Sequence, residues 1–359
     1  MIEKEKNLWR LFGVMSKEFF VNLWVTHKCN FRCRYCYAKH DFKNLELSYE
    51  RAFDIIKFIA DRIKPDQKLK IVFHGGEPTL KLELIKRIMD LVEKMIPNKV
   101  SYGLTTNGSL IEEDDIDFLV KKFLYDLSIS VDGKRDTHSF NRIAVNKKDY
   151  YDVIIKNAKK MAAKNPRIRI RMTFDRYNID TLSDNIIYFI KMGFSTIVPG
   201  ADIFSDKWTS EDFDRVKEEL IKVKDYIKKN NLDINIYDIS NEFIQLSPCT
   251  AGDDYFSIDS DGKIYPCLYV VGNAEMCIGD IYSGIDRCKY EEIYLMNQRK
   301  VEECFECSMK SYCSSNRCLL VNYVTTGNWL SPNLVECNMM NIKYAIAIEE
   351  YKSNINPCC

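Results

Sequence analysis

The 359-residue chain carries 52 Lys and Arg against 52 Asp and Glu, so its formal net charge is zero, and it is 46% hydrophobic and 29% charged. That length suggests two domains or three, the apolar content supports a globular core rather than disorder, and the balanced charge argues against a nucleic-acid binder. No apolar run approaches the ~18 residues of a membrane span, and the mixed-charge start MIEKEKNLWRLFG is no secretory signal, so no membrane contact and a cytoplasmic location are expected.

In chain order, Phe19 to Thr26 is a short apolar run that predicts a strand, and Ser48 to Ile63 carries a helical stripe. Strands follow at Leu69 to Phe73, Val100 to Leu104, Leu127 to Val131, Ile168 to Phe174 and Thr196 to Val198. Between them, helices are predicted over Leu82 to Met95, around Ile116 to Phe123, over Tyr150 to Ala163 and over Ile179 to Met192. Thr209 and Asp212 then form a capping signature for one more helix, with Phe213, Val216, Leu220, Val223 and Ile227 on its buried face. Six βα units in series imply a parallel sheet with helices outside, doubly wound or an open partial barrel. In either, chemistry gathers at the carboxyl ends of the strands.

Cysteine is distributed unevenly. Of 14, three stand at 29, 33 and 36, none between 37 and 248, and eleven from 249 onward. Disulfides are rare in the cytosol, so thiols crowded in this way point to metal. Cys29, Cys33 and Cys36 follow the first strand and can hold three irons of a cubane cluster, leaving the fourth open. A zinc site is the alternative, with His27 or His40 as its fourth ligand. After the second strand comes His74-Gly75-Gly76-Glu77-Pro78, where two glycines permit close approach of a backbone to a ligand and Glu77 can accept from an ammonium. After the third comes Thr106-Asn107-Gly108. After the fourth come Ser130, Asp132 and Gly133, with His138 and Arg142 downstream; Asp132-Gly133 reads as turn chemistry, while Arg142 suits a carboxylate.

These residues resemble the radical S-adenosylmethionine (SAM) superfamily: CxxxCxxC at Cys29, Cys33 and Cys36 with aromatic Tyr35, then GGEP at Gly75 to Pro78, TNG at Thr106 to Gly108, and SxDG with HxxxR at Ser130 to Arg142. The resemblance covers residues 19 to about 200 and implies an α/β fold, a partial (β/α)6 TIM barrel. It implies SAM chelated to the open iron of a [4Fe-4S] cluster and cleaved by one electron to a 5′-deoxyadenosyl radical. It assigns Gly75, Gly76 and Glu77 to the SAM ammonium, Asn107 to its ribose or methionine part, and Ser130 and Arg142 to its carboxylate, with Tyr35 beside the cofactor. A small electron donor such as ferredoxin or flavodoxin is implied as partner.

In the last third, Cys249 and Cys267 bracket a predicted hairpin with its turn at Asp261-Gly262, followed by Cys304, Cys307, Cys313, Cys318 and Cys337. Seven thiols exceed one tetrahedral site; two clusters or two zincs fit. The pattern is similar to the SPASM domain, which carries two auxiliary [4Fe-4S] clusters, except that Cys318 lies one residue further along. By that resemblance Cys249, Cys267 and Cys318 hold the first cluster, and Cys304, Cys307, Cys313 and Cys337 the second. The first set lacks a fourth thiolate unless Cys277 or Cys288 supplies it; Cys358 and Cys359 read as terminal free thiols. The expected organisation is an extension over 1–18, a barrel over 19–235, and the auxiliary-cluster domain with a C-terminal helix over 236–359.

Enzymes of this kind act mostly on peptides or proteins. The resemblance therefore implies either maturation of a ribosomally made peptide, a thioether crosslink included, or anaerobic sulfatase maturation, which makes formylglycine. Only 28 residues precede Cys29, which suits the second. The formylglycine makers, however, carry an Asp base after the hairpin cysteine, and Leu268 stands there, which favours the first. Asp202, and Cys277 as a ligand or thiol, are the remaining catalytic candidates. A non-catalytic zinc or iron-sulfur scaffold is the reading from another class.

Overall fold

The computed structural model describes residues 18–38, 44–234, 236–246 and 249–355. Its strands in chain order are β1 (Glu18–Thr26), β2 (Phe31–Cys33), β3 (Lys68–Gly75), β4 (Val100–Thr106), β5 (Leu127–Ser130), β6 (Arg142–Ala144), β7 (Arg169–Phe174) and β8 (Thr196–Ala201). The cysteine-rich third adds β9 (Tyr255–Ile258), β10 (Lys263–Tyr265), β11 (Gly279–Asp280) and β12 (Gly284–Ile285). Strands β1, β3, β4, β5, β7 and β8 pair in parallel in that order, which is the six-stranded open barrel expected. β1 is buried along almost all of its length because it has a neighbour on each edge and helices over one face, so it reads as an apolar run rather than an alternation.

The helices α1 (Tyr49–Ala60), α2 (Leu82–Met95), α3 (Asp115–Lys122), α4 (Arg135–Asn141), α5 (Tyr151–Lys164), α6 (Leu182–Lys191) and α7 (Ser210–Lys229) belong to this body. α2 packs Ile85, Ile88, Met89 and Val92 against the sheet, the i, i+3, i+4, i+7 face its sequence spells. At the start of α7 the Asp212 amide donates to Thr209 Oγ1 at 3.4 Å and the Thr209 amide to Asp212 Oδ2 at 2.8 Å, a complete capping box.

Two features depart from the sequence reading. The hairpin β9–β10 forms, but it is not a separate body: β9 pairs with β1 in parallel, Phe20 opposite Tyr255 and Leu23 opposite Ile258. The sheet therefore runs on through β10, β11 and β12 into the cysteine-rich third as one ten-stranded unit. Second, the segment bearing the first cysteines is itself a short strand: β2 pairs antiparallel with β6, placing Cys33 opposite Arg142. The remaining helices are α8 (Arg287–Asn297), α9 (Ser314–Arg317), α10 (Leu319–Thr326) and α11 (Leu334–Ile355). α11 returns to the barrel, where Lys217 and Lys224 of α7 pair with Glu349 and Glu350, each at 2.6 Å.

Candidate active site

A cavity of about 870 Å³ opens over the carboxyl ends of the parallel strands. Cys29, Cys33 and Cys36 line it on one side, and Leu268 and Tyr269, just after the hairpin, line it on the other. All three thiols are largely shut off from water. Burial pushes Cys29 up to about 12 and Cys33 up to about 11, and raises Cys36. A thiol in such a place becomes a thiolate when a metal offsets its charge. Among the described residues, no three His, Cys, Asp or Glu converge on a single-ion site. A cubane spaces its thiolates across its corners, wider than the ligands of one ion. His27, a candidate zinc ligand, is engaged elsewhere: its Nε2 lies 2.5 Å from Asp259 Oδ1, joining the end of β1 to the hairpin turn with both side chains buried. His40 lies outside the described residues.

The GGEP segment packs against the protein's own backbone. A Cβ on Gly75 would stand 2.1 Å from Thr26 O, and one on Gly76 2.3 Å from Lys28 O. The Gly76 amide already donates to Thr26 O and the Glu77 amide to Lys28 O, each at 2.9 Å. The glycines thus let the turn lie against the cysteine-bearing loop itself, and their approach is to this backbone. Glu77 is 2% exposed and saturated with donors: Oε1 accepts from Thr79 Oγ1 at 2.6 Å and Thr106 Oγ1 at 2.7 Å, and Oε2 from the Asn107 amide at 2.8 Å. Its carboxylate ties the ends of β3 and β4 together. Asn107 in turn donates to Asn30 Oδ1 at 2.8 Å and accepts from Ser109 Oγ at 2.6 Å, bracing the loop between Cys29 and Cys33.

Asp132, which reads in sequence as a turn residue, is the hub of the site. It is 2% exposed and accepts from Tyr35 Oη at 2.5 Å, Arg142 Nη2 at 2.9 Å, the Thr173 amide at 3.0 Å and Asn141 Nδ2 at 3.2 Å. Arg142 is thereby held under Cys33 and over the Tyr35 ring, its charge opposed by Asp132. Its Nε is buried without a hydrogen-bond partner among the described residues. Ser130 lines the cavity, and its hydroxyl makes no hydrogen bond among the described residues. His138 is buried against Tyr151, and burial holds it down at about 4, so it is neutral.

In the cysteine-rich third, the thiols gather in two sets. Cys318 donates to Cys249, which makes Cys249 the more acidic, and Cys267 is close enough for its charge to act on both neighbours. The extra residue before Cys318 is absorbed by the short helix α9, after which Cys318 begins α10. Asn297 also meets Cys249 and leaves its Oδ1 buried and unpartnered. Cys304 feels Cys313, Cys337 and Cys307, the second set, and is raised to about 11, chiefly by burial. The donor chemistry of both sets suits iron-sulfur clusters. Cys277 does not join them. Its Sγ donates to Gly279 O at 3.3 Å and its charge acts on Lys263 and Tyr265 of the hairpin, while Cys288 is exposed. Among the described residues the first set therefore has three thiols, and Cys277 is not beside them. Asp202, directly after β8, does line the cavity, raised by burial and accepting from the Phe204 amide at 3.1 Å. Cys358 and Cys359 lie outside the described residues.

Comparison with known proteins finds two family models along the chain. Residues 25–185 match the family model of the radical SAM superfamily, and 249–308 that of SPASM, an iron-sulfur cluster-binding domain. The radical SAM cyclopropyl synthase TigE of Paramaledivibacter caminithermalis is 24% identical, over 93% of this chain and 74% of its own. A cysteine-type anaerobic sulfatase-maturating enzyme of Clostridium novyi is 27% identical, over 69% of this chain and 72% of its own. Among solved structures, native anSMEcpe with bound AdoMet superposes with a TM-score of 0.77 at 20% identity, covering 94% of this chain and 99% of that one. Streptococcus suis SuiB bound to precursor peptide SuiA gives 0.64 at 18%, covering 93% and 79%. No helix among the described residues is long and apolar enough to cross a membrane. With the thiol triad, the GGEP turn and the two-set cysteine domain in their places, the chain belongs to the radical SAM superfamily and carries a SPASM domain.

Proposed function

We propose that this enzyme modifies a peptide, with Cys29, Cys33 and Cys36 holding the SAM-binding cluster and the two thiol sets after 248 holding the auxiliary clusters. The observation that carries the reading is the single cavity shared by the thiol triad and the hairpin residues Leu268 and Tyr269, which puts the barrel chemistry and the SPASM domain at one reaction space. When bound, the open-iron cluster and SAM supply one-electron cleavage to methionine and a 5′-deoxyadenosyl radical, which takes a hydrogen atom from the substrate. The protein's part is position and the exclusion of water. Ser130 offers a free hydroxyl to the carboxylate of SAM; Arg142 supplies positive charge beside Cys33; Asn107 fixes the loop that carries Cys29 and Cys33. The barrel over 19–235 is assigned to SAM and the region 236–359 to the auxiliary clusters.

Within peptide modification we infer maturation of a ribosomally made peptide rather than formylglycine synthesis. Leu268 is half-buried in the cavity wall at the position where a carboxylate base would serve the latter. The three-thiol set Cys249, Cys267 and Cys318 suits a substrate thiol as further ligand, and a thioether is the product that follows. An electron donor such as a ferredoxin or flavodoxin belongs to this reading. The test is anaerobic reconstitution. The enzyme should bind about 12 irons as three cubanes and give 5′-deoxyadenosine with dithionite and SAM. The triple variant Cys29→Ala, Cys33→Ala, Cys36→Ala should keep about 8 irons and give none. Mass spectrometry of a modified Cys peptide separates the two reactions: loss of two hydrogens with one fewer alkylatable thiol marks the crosslink, and conversion of Cys to formylglycine overturns it.

A further inference from the structure

The cavity holds a cation, Arg171, that forms no ion pair among the described residues. Along β7, Ile170, Met172 and Phe174 are buried in the core, which turns Arg169, Arg171 and Thr173 to the other face. Arg169 is committed, its Nε donating to Ser128 Oγ at 3.0 Å and its Nη2 to Asp126. The Arg171 side chain, which lines the cavity, has no hydrogen bond or ion pair among the described residues. Of the acids lining the same cavity, Asp126 pairs with Lys70 and Arg169, Glu77 is filled by Thr79, Thr106 and the Asn107 amide, Glu336 accepts from the Ser314 hydroxyl, Asp202 accepts from the Phe204 amide and Asp238 feels the Lys343 charge; none forms an ion pair with Arg171 among the described residues. The Arg171 charge acts on Tyr37, His74 and Tyr269, and bears unfavourably on Arg169; Tyr37 and Tyr269 meet edge to face at 5.2 Å. A guanidinium set beside another guanidinium, with no ion pair among the described residues, adds no contact to the fold and is free to meet what enters the cavity.

We propose that Arg171 recognises a carboxylate of the substrate, an Asp or Glu side chain or a free C-terminus, by the paired N–H donors a guanidinium presents to a carboxylate. This rests on the peptide reading above and narrows it to acidic peptides. Arg171 stands beside Ser130 in the sheet register, so the carboxylate of SAM is the rival occupant. The rings its charge reaches are Tyr37 next to the thiol triad and Tyr269 next to Leu268, which places it toward the substrate wall.

The experiment uses reconstituted holoenzyme with SAM bound and a pool of acetylated hexapeptides. One position is fixed as Glu, Gln, Asp or Asn, the C-terminus is free or amidated, and retained peptides are read by mass spectrometry. Wild type should retain carboxylate-bearing peptides roughly 10- to 100-fold over their amide counterparts. The side-chain and C-terminal arms tell which carboxylate is bound. Arg171→Gln should abolish that preference and Arg171→Lys restore part of it, with SAM affinity unchanged and thermal stability not lowered, since no contact is lost. Equal retention of acids and amides by wild type overturns the proposal alone. A parallel loss of SAM affinity in Arg171→Gln assigns the residue to SAM and overturns it as well. Retention of no peptide by wild type overturns the peptide reading and this proposal together.

Discussion

Asp132 and Arg142 make a buried ion pair at 2.9 Å, and at the residue scale this pair sets the geometry under Cys33. Such a pair adds little net stability when complete, but removing one member strands the other in a place with no water. Asp132→Ala should therefore cost about 3–5 kcal/mol, read as a shift of the urea midpoint, and Asp132→Asn less, because an amide oxygen in the place of Oδ1 still accepts from Arg142 and the Thr173 amide. If the two variants match wild type, Asp132 is only the turn residue its sequence suggests. A second residue-scale consequence concerns acid. His74 and His138 are held, mainly by burial, at about 4 against an ordinary 6.5. The unfolded chain takes up these protons first as pH falls, so stability present above 6.5 is lost on the way down to 4. The difference of about 2.5 in pKa sets a ceiling of roughly 3 kcal/mol for each. Asp238, raised by burial to about 6, holds a proton in the fold and works in the opposite direction. His138→Gln should therefore flatten the fall of the unfolding midpoint between pH 6.5 and 4; an unchanged slope would show that His138 is not charged on unfolding in that window.

The element scale decides how much of the site could be read in advance. The six parallel strands and α2 were legible because a buried strand and an amphipathic helix each leave a periodic mark, and Leu82–Met95 matches its expected span at both ends. The pairing of β2 with β6 left no such mark: three residues meeting three more, Arg32 opposite Ile143 at 111 positions along the chain, show no period. For the same reason Asp132 passed for a turn, since its partners Tyr35 and Thr173 come from other elements. The two glycines were legible as special, and the structure adds a cause of its own. They are required by the backbone of Thr26 and Lys28, which they touch. Gly76→Ala puts a methyl 2.3 Å from Lys28 O and 2.8 Å from His27 O, both main-chain atoms that can move only by displacing the loop before Cys29. The expected result is a loss of more than about tenfold in 5′-deoxyadenosine formation with a lowered melting temperature, while the auxiliary clusters keep their iron. Retention of full SAM cleavage in Gly76→Ala would mean that the loop yields without moving the thiols.

For the whole molecule, the continuous sheet matters more than the division at 235. A (β/α)6 barrel is open, and its β1 edge would present unpaired main-chain groups along an apolar strand, a template for association with other chains. Here β9 covers that edge, and side chains reinforce the seam: Asn22 Nδ2 donates to Tyr255 Oη at 2.8 Å, Ser260 Oγ to Trp24 O at 2.8 Å, and His27 meets Asp259. The same seam carries the hairpin whose far end presents Leu268 and Tyr269 to the cavity, so the cluster domain seals the barrel and builds its reaction space with one set of contacts. Cutting the chain after Asn235 should then fail to give a smaller, working barrel. We expect the fragment 1–235 to aggregate, read by size-exclusion chromatography and light scattering, even though Cys29, Cys33, Cys36 and all six parallel strands remain in it. Charging the freed edge offers a control that separates the edge from lost packing. Asn22→Lys, a substitution on a strand edge of the kind that blocks further pairing, should lower the association of the fragment while destabilising the full chain, where Asn22 is buried at 2% exposure. A monomeric fragment that cleaves SAM would show instead that the barrel closes its own edge, and that β9 serves the reaction space alone.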